Sequence, residues 1–297
     1  MKKSITISFI ILTFNEEKNI KKILTRLEKI KIKNSEILVI DSESTDKTPL
    51  IIKQMRNKIK NLFLFQIKRE EFDFGETRNF AVKKAKGKYI CFISADAYPL
   101  FTNKIIKYLK EDFSIDKKVV CVYGKQIPYP NHNFLYRAEI NCLFNYLNNL
   151  IKINQSKVLL QKDSFYSKKD KMLYFISNVF AIYKKNFLLK FPFRKGKCED
   201  IKMGKCIIDN SFAKIYDPRL SVMHSHNFTI KEYLERQKEE FKLIKRLKIN
   251  KFSSTRIMCK LKQIYRGNFS LKTKFFLIIK FFYIYLIKLL LSFGIFY

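Results

Sequence analysis

The chain has no tryptophan, and only seven of its 297 residues are glycine. No glycine lies in the loop after the first apolar run, which reads Thr13-Phe14-Asn15-Glu16. Acids are scarce: 26 Asp and Glu face 60 Lys and Arg, a formal charge of +34. A genome rich in lysine, isoleucine, asparagine and phenylalanine accounts for part of that excess; the rest reads as attraction to phosphates or an anionic surface. Zinc-finger spacing and RRM-like aromatic motifs are absent, so no nucleic-acid partner is expected. No internal repeat is visible. The six cysteines (Cys91, Cys121, Cys142, Cys198, Cys206, Cys259) include no C-x-x-C pair. They are expected to be reduced thiols in a cytosolic compartment, packing as small hydrophobes. Lys2-Lys3 and the apolar run after them lack a small-residue cleavage site and are interrupted by Thr6, Ser8 and Thr13, so a signal peptide is rejected.

Hydrophobic residues make up 47% of the sequence, ample for a core. Apolar β-branched runs alternate with helix-periodic stretches: strand Ile5–Leu12, a helix from Glu16 capped by Asn15, strand Ile37–Ile40, a helix from Thr48 capped by Asp46, strand Leu62–Ile67, helix Thr77–Lys86 ending at Gly87 as its C′ residue, strand Tyr89–Ser94, helix Asn103–Phe113 and strand Val119–Tyr123. That alternation predicts an α/β fold with a mostly parallel sheet flanked by helices. Residues 128–173 break the rhythm, with one expected helix at Leu135–Ile151, and read as an insertion bordering the site. Regularity resumes at Tyr174–Tyr183. A helix follows from Glu199, then a short strand Phe212–Tyr216 closed by Asp217-Pro218 and a helix Thr229–Leu247. The expected domain spans 1–250. Residues 251–297 form a basic, hydrophobic helical extension in which Lys280, Tyr285, Lys288 and Ser292 share an arc of about 140°. A span across a bilayer would put Lys288 near the midplane at a cost of about 2.5–3.5 kcal/mol. An amphipathic helix in the membrane interface is therefore expected ahead of one docked on the domain, and a spanning helix last.

Two apolar runs end in an aspartate: Ile37-Leu38-Val39-Ile40-Asp41 and Tyr89-Ile90-Cys91-Phe92-Ile93-Ser94-Ala95-Asp96. Ligands of open α/β sheets bind beyond the carboxyl ends of the strands, so both carboxylates belong above one sheet. Asp41, with Thr13, is suited to a pyrimidine and its ribose, and Asp96 to a divalent cation on a diphosphate. Asn15, Glu16 and Ser44 adjoin them, although capping alone accounts for Asn15 and Asp46. In Phe74-Gly75-Glu76-Thr77-Arg78-Asn79, Gly75 permits a close approach and Thr77 is a candidate cap. Arg78 then falls in a first turn, where a cation is disfavoured unless an anion or a salt bridge meets it. Glu199-Asp200 offers a general base or merely first-turn acids. His224-Ser225-His226-Asn227 offers an imidazole to a metal or is structural.

In this order the motifs resemble those of the family 2 glycosyltransferases, which have the GT-A fold. The resemblance rests on Ile10 to Glu17 and Val39 to Asp46, and it covers about Ile5 to Leu247. Phe72 through Asn79, Asp96-Ala97-Tyr98-Pro99, Val122 to Gln126, Ser177-Asn178-Val179, Glu199-Asp200 and His224 to Asn227 look most like the rhamnosyltransferase-type branch. The resemblance implies inverting transfer of a sugar from a nucleoside diphosphate to a glycan or lipid-linked acceptor in cell-envelope polysaccharide synthesis, at the inner face of the membrane. It implies that Thr13, Asn15, Glu16, Asp41, Ser44, Arg78 and Asp96 bind the nucleotide sugar. Asp96 and His226 would hold Mg²⁺ or Mn²⁺, and Asp200 or Glu199 would be the base. Ser94 stands where many members carry the first aspartate of Asp-x-Asp. The lack of tryptophan, and with it of Gln-x-x-Arg-Trp, argues against a processive synthase; Arg236 is a candidate for the phosphate-facing role. Two other readings compete: a sugar-1-phosphate nucleotidyltransferase, disfavoured by the glycine-free first loop, and a non-catalytic basic protein binding membrane or nucleic acid.

Overall fold

The computed structural model describes residues 6–149, 158–160, 171–246 and 254–293. In chain order the elements are β1 (Ile7–Thr13), α1 (Ile20–Ile30), β2 (Ser35–Asp41), α2 (Thr48–Arg56), β3 (Leu62–Gln66), α3 (Phe74–Lys84), β4 (Tyr89–Ile93), β5 (Tyr98–Pro99), α4 (Ile105–Ile115) and β6 (Val119–Ile127). Then come α5 (Phe134–Asn149), β7 (Val158–Leu160), α6 (Lys171–Tyr174), β8 (Phe180–Lys184), α7 (Lys185–Lys190), α8 (Glu199–Asp209), β9 (Ala213–Met223), α9 (Ile230–Arg246), α10 (Ser254–Arg266) and α11 (Leu271–Phe293).

One mixed sheet runs in the order β3-β2-β1-β4-β8-β6-β9-β5, with β7 paired to β9. β3, β2, β1 and β4 are mutually parallel, and β8 enters antiparallel between β4 and β6. Both faces are covered, which is why the parallel strands read as unbroken apolar runs. One face packs Ile7, Phe9 and Ile11 beneath α1, α2 and α4. The other packs Ile10, Leu38 and Phe92 beneath α3, α5, α7 and α8. Strand order reverses beside β1, since β2 lies on one side and β4 on the other. The crevice for ligands is therefore at the carboxyl ends of β1 and β4.

Several local expectations are corrected. The first helix starts at Ile20, and Asn15 does not cap it: Asn15 is left-handed, at φ 55°, and its side-chain oxygen accepts from Thr45 N at 2.8 Å. Helix α3 starts three residues before Thr77. Its cap is Asp73, whose carboxylate accepts from Gly75 N and Glu76 N, so Arg78 lies past the first turn. Gly87 is no left-handed cap; it sits against β1, where a Cβ would fall 2.5 Å from Ser8 N. Strand β9 runs on through Asp217-Pro218, because a register shift opposite Gly124 leaves the proline, which has no N–H to give, out of the ladder. In residues 128–173 the helix expected at Leu135–Ile151 is present as α5, and β7 and the start of α6 are added; residues 150–157 and 161–170 lie outside the described residues.

Cysteine chemistry also departs from expectation. Cys142 on α5 and Cys259 on α10 form a disulfide, while Cys91, Cys121, Cys198 and Cys206 are free. Composition cannot reveal a pair separated by 117 residues, because helix packing alone brings the two together. Among the described residues no helix is long and apolar enough to cross a membrane. Helix α11 docks through Phe281 and Ile284 and leaves Phe275, Phe276, Phe282 and Leu286 exposed.

Closing a loop of 117 residues restricts the unfolded chain strongly. Replacing Cys142 by Ser is expected to lower unfolding stability by about 2–5 kcal/mol. Denaturant melts under non-reducing conditions measure this, and reductant should abolish the difference between variant and parent.

Candidate active site

At the end of β2, Asp41 is fully buried and saturated. Its Oδ1 accepts from Thr13 Oγ1 at 3.0 Å and Ser44 Oγ at 2.5 Å, and its Oδ2 from Ser44 N at 3.0 Å. The carboxylate thereby fastens the β1 and β2 loops together. Asn15 N donates to Ser44 Oγ at 2.8 Å, and Glu16 N to Thr48 Oγ1 at 2.7 Å. Burial raises the pKa of Glu16, and the charge of Asp96 adds to that rise. Thr13, Asn15, Glu16, Asp41, Ser44 and Asp96 thus lie at one crevice. Its outer wall carries no motif in the sequence: the Arg69 guanidinium lies 3.8 Å from the centre of the Phe14 ring, and its Nη1 donates to Ser42 Oγ at 3.3 Å. A partly exposed ring stacked by a cation at a strand's carboxyl end makes a flat polar-edged platform.

After β4, Asp96 faces two imidazoles. Its Oδ2 lies 3.5 Å from His224 Nε2 and 3.5 Å from His226 Nδ1. Gln126 sets the tautomer of His224. The Gln126 amide nitrogen donates to Ser177 Oγ at 2.7 Å, so its carbonyl must accept from His224 Nδ1 at 3.0 Å, and Nε2 is left bare toward Asp96. Burial and nearby cations lower His224 to a pKa of about 3 and His226 to about 4, so both are neutral at neutral pH. Burial raises Asp96. Two neutral lone-pair donors and a carboxylate oxygen within 4.8 Å of one another suit a divalent cation. Ligands about 2.1 Å from one ion stand ~3.0–3.4 Å apart, close to the spacing here. The third histidine, His132, belongs to none of the sequence motifs yet adjoins this cluster: its Nδ1 meets Ser225 Oγ at 2.7 Å, between His224 and His226 in the chain. Its only signal in the sequence is position, inside a segment that reads as irregular.

The acid pair divides into two roles. Glu199 is buried and spent: its Oε1 lies 2.8 Å from Arg78 Nη1 and accepts from Asn178 Nδ2 at 3.2 Å. Tyr183 Oη in turn donates to Asn178 Oδ1 at 2.7 Å. Arg78 is equally enclosed, with its side chain 9% exposed, Nη1 also donating to Phe74 O at 3.0 Å, and Phe74, Phe92 and Phe193 around the guanidinium. Gly75 lets this turn approach the next loop, since a Cβ would fall 2.5 Å from Arg194 O. Asp200 is half-buried and accepts from Ile201 N at 2.8 Å. Burial and the adjacent Glu199 raise its pKa to about 7. Cys198, at the start of α8 just before the two acids, is left-handed at φ 55°. The charge of Arg236 on α9 bears on Asp96, His226 and Asp200, so it lies near both the imidazole cluster and Asp200.

The architecture around this crevice is that of known GT-A enzymes. Residues 1–349 of TarS from S. aureus superpose with a TM-score of 0.57 at 19% identity, over 91% of this chain and 68% of that one. The mannosyltransferase PcManGT from Pyrobaculum calidifontis, solved with GDP-Man and Mn²⁺, gives 0.57 at 15% identity over 96% and 71%. The fold is therefore GT-A. The sequence profile of Glycosyl transferase family 2 matches residues 8–185, and the chain belongs to that family. It is 31% identical to the O-antigen chain rhamnosyltransferase RfbN of Salmonella typhimurium over 77% of this chain and 69% of that protein. It is also 31% identical to the O-antigen chain rhamnosyltransferase WbaN of Salmonella anatum, over 68% and 60%. Family membership selects the glycosyltransferase reading over the nucleotidyltransferase and non-catalytic ones.

Removing one partner of a buried ion pair leaves a charge without compensation. Arg78→Leu is therefore expected to destabilise the fold by about 3–5 kcal/mol. Chemical denaturation measures the loss, and Arg78→Leu combined with Glu199→Gln should recover part of it.

Proposed function

We propose that the protein is an inverting glycosyltransferase, moving a hexose such as rhamnose from a nucleoside diphosphate to a glycan or lipid-linked acceptor in cell-envelope polysaccharide synthesis. The observation that carries this is the division of labour between Glu199 and Asp200. Glu199 is tied to Arg78 and Asn178, whereas Asp200 is half-buried, engaged by the Ile201 amide, and has a pKa of about 7. A base poised near neutrality is what removal of a proton from an acceptor hydroxyl requires. The acceptor oxygen attacks the anomeric carbon on the face opposite the diphosphate, Asp200 takes its proton, and the carbon–oxygen bond to the diphosphate breaks. Asp41, Thr13, Asn15, Glu16 and Ser44 shape the nucleoside crevice, and Phe14 with Arg69 offers the platform for its base. Arg78 acts on the donor side by holding Glu199, and Arg236 is the cation placed to meet the diphosphate.

Asp96, His224 and His226 would hold the divalent ion, which when bound supplies positive charge against the departing diphosphate. Two imidazole nitrogens beside one carboxylate tilt the set from Mg²⁺ toward Mn²⁺. The support is the bare Nε2 of His224, aimed at Asp96 by Gln126. The catalytic unit is taken as residues 1–250, with residues 251–297 as an extension. Peripheral contact with an anionic membrane at its inner face belongs to the same reading, supported by the exposed apolar side of α11.

Asp200→Asn is expected to cut sugar transfer by about 10²–10⁴-fold while leaving nucleoside diphosphate affinity unchanged. Full turnover in this variant would refute the base assignment. Asp200 must be ionised to accept a proton, so the rate should rise with pH and level off above about 7. Calorimetric titration with Mn²⁺ should show one site, abolished by Asp96→Ala and weakened about 10–100-fold by Gln126→Leu, which touches the ion only through His224.

A further inference from the structure

We infer that the groove between α5 and α10 is a binding site for a lipid phosphate headgroup. This deepens the membrane reading above, giving a discrete site where that reading has a surface, and it needs no part of the catalytic assignment. The groove encloses about 610 Å³. Its apolar wall includes Phe134 and Met258, and its polar wall includes Lys262 and Arg266, one helical turn apart on α10. Neither of these two cations is in an ion pair among the described residues, in contrast to Lys260 on the same helix, which lies 3.4 Å from Glu139. Glu139 is the only acid on α5, and Tyr233 Oη also donates to it, so no acid of α5 is left to neutralise Lys262 or Arg266.

The chemistry around the groove fits a lipid rather than a free anion. Residues 241–297 carry thirteen Lys and Arg and no Asp or Glu. Phe134 meets Phe269 edge-on at 4.9 Å, so the groove adjoins the link from α10 to α11. Beyond that link α11 presents Leu271, Phe275, Phe276 and Phe282, exposed by 49–87%. A contiguous apolar surface flanked only by cations favours an anion with an attached hydrocarbon chain. An inorganic phosphate would use the cations and leave α11 bare; a nucleic acid would do the same. The amino end of α5 follows Asn133, whose N donates to Asn227 Oδ1 at 3.0 Å, beside His226. A headgroup held here would keep the catalytic crevice close to the bilayer.

The test is co-sedimentation of the full chain with phosphatidylcholine vesicles containing phosphatidic acid. Lys262→Glu combined with Arg266→Glu is compared with the same charge change on α1, Lys22→Glu combined with Lys29→Glu. Loss of two headgroup contacts should raise the half-saturating lipid concentration about tenfold or more in the groove variant, with a much smaller change in the α1 variant. The pair Lys262→Gln and Arg266→Gln, which removes charge without adding acids, should follow the groove variant. Thermal melts of all three confirm that they fold. Equal losses in groove and α1 variants would overturn the site and leave only diffuse attraction. Protection of Lys262 from amine acylation by millimolar inorganic phosphate, as complete as that by vesicles, would overturn the lipid assignment in favour of a free anion. Absence of any vesicle binding by the parent protein would overturn both this site and the membrane reading. Mn²⁺-dependent nucleotide binding, measured alongside, reports on the transferase reading separately.

Discussion

The tripeptide Ser177-Asn178-Val179 joins the two halves of the site, and the rest of the chemistry depends on it. Val179 O accepts from Ser94 N at 3.0 Å and so fixes the segment against the strand that delivers Asp96. Ser177 Oγ accepts from Gln126, which orients His224. Asn178 donates to Glu199 and accepts from Tyr183. Three neighbouring residues therefore set a tautomer, a carboxylate position and a strand end. Buried polar groups of this kind are costly unless every partner is present, which makes such a splice rigid.

Rigidity here serves to separate like charges. Glu199 and Asp200 are adjacent in sequence, and two ionised carboxylates in a poorly hydrated crevice repel. Arg78 and Asn178 bond directly to Glu199. For Asp200, burial and its neighbour's charge outweigh the Ile201 amide and the more distant pull of Arg78 and Arg236, and its pKa is pushed to about 7. Across the crevice, burial drives protons off His224 and His226 and raises Asp96. One crevice thus holds a carboxylate tuned toward neutrality beside bases kept free of protons.

Much of this site is legible in the amino-acid sequence. Strands ending in Asp41 and Asp96 mark the crevice, because continuous apolar runs signal a sheet buried on both faces. Gly75 stands out as a point of close approach, whereas Arg78 draws notice for a first-turn position that it does not occupy. Helix ends are less legible: Asn15 has the chemistry of a cap, yet a tertiary partner, the Thr45 amide, takes its side-chain oxygen. Gly87 resembles a helix stop but answers to the closeness of β1. The choice between Glu199 and Asp200, the share of His224 in the cluster, the place of His132 beside it and the platform of Arg69 on Phe14 all rest on contacts between distant segments.

Local pattern by itself determined the alternation of strands and helices, the positions of the acidic strand ends and the cationic, acid-free end of the chain, because those follow from periodicity and composition. Tertiary structure alone decided which carboxylate Asn178 engages, which imidazole nitrogen is bare and that Cys142 meets Cys259. Those outcomes depend on partners 21, 98 and 117 residues away. Hydrogen bonds, ion pairs and thiol pairing act over a few ångströms in space, and spacing along the chain carries no record of which distant groups folding brings within that reach.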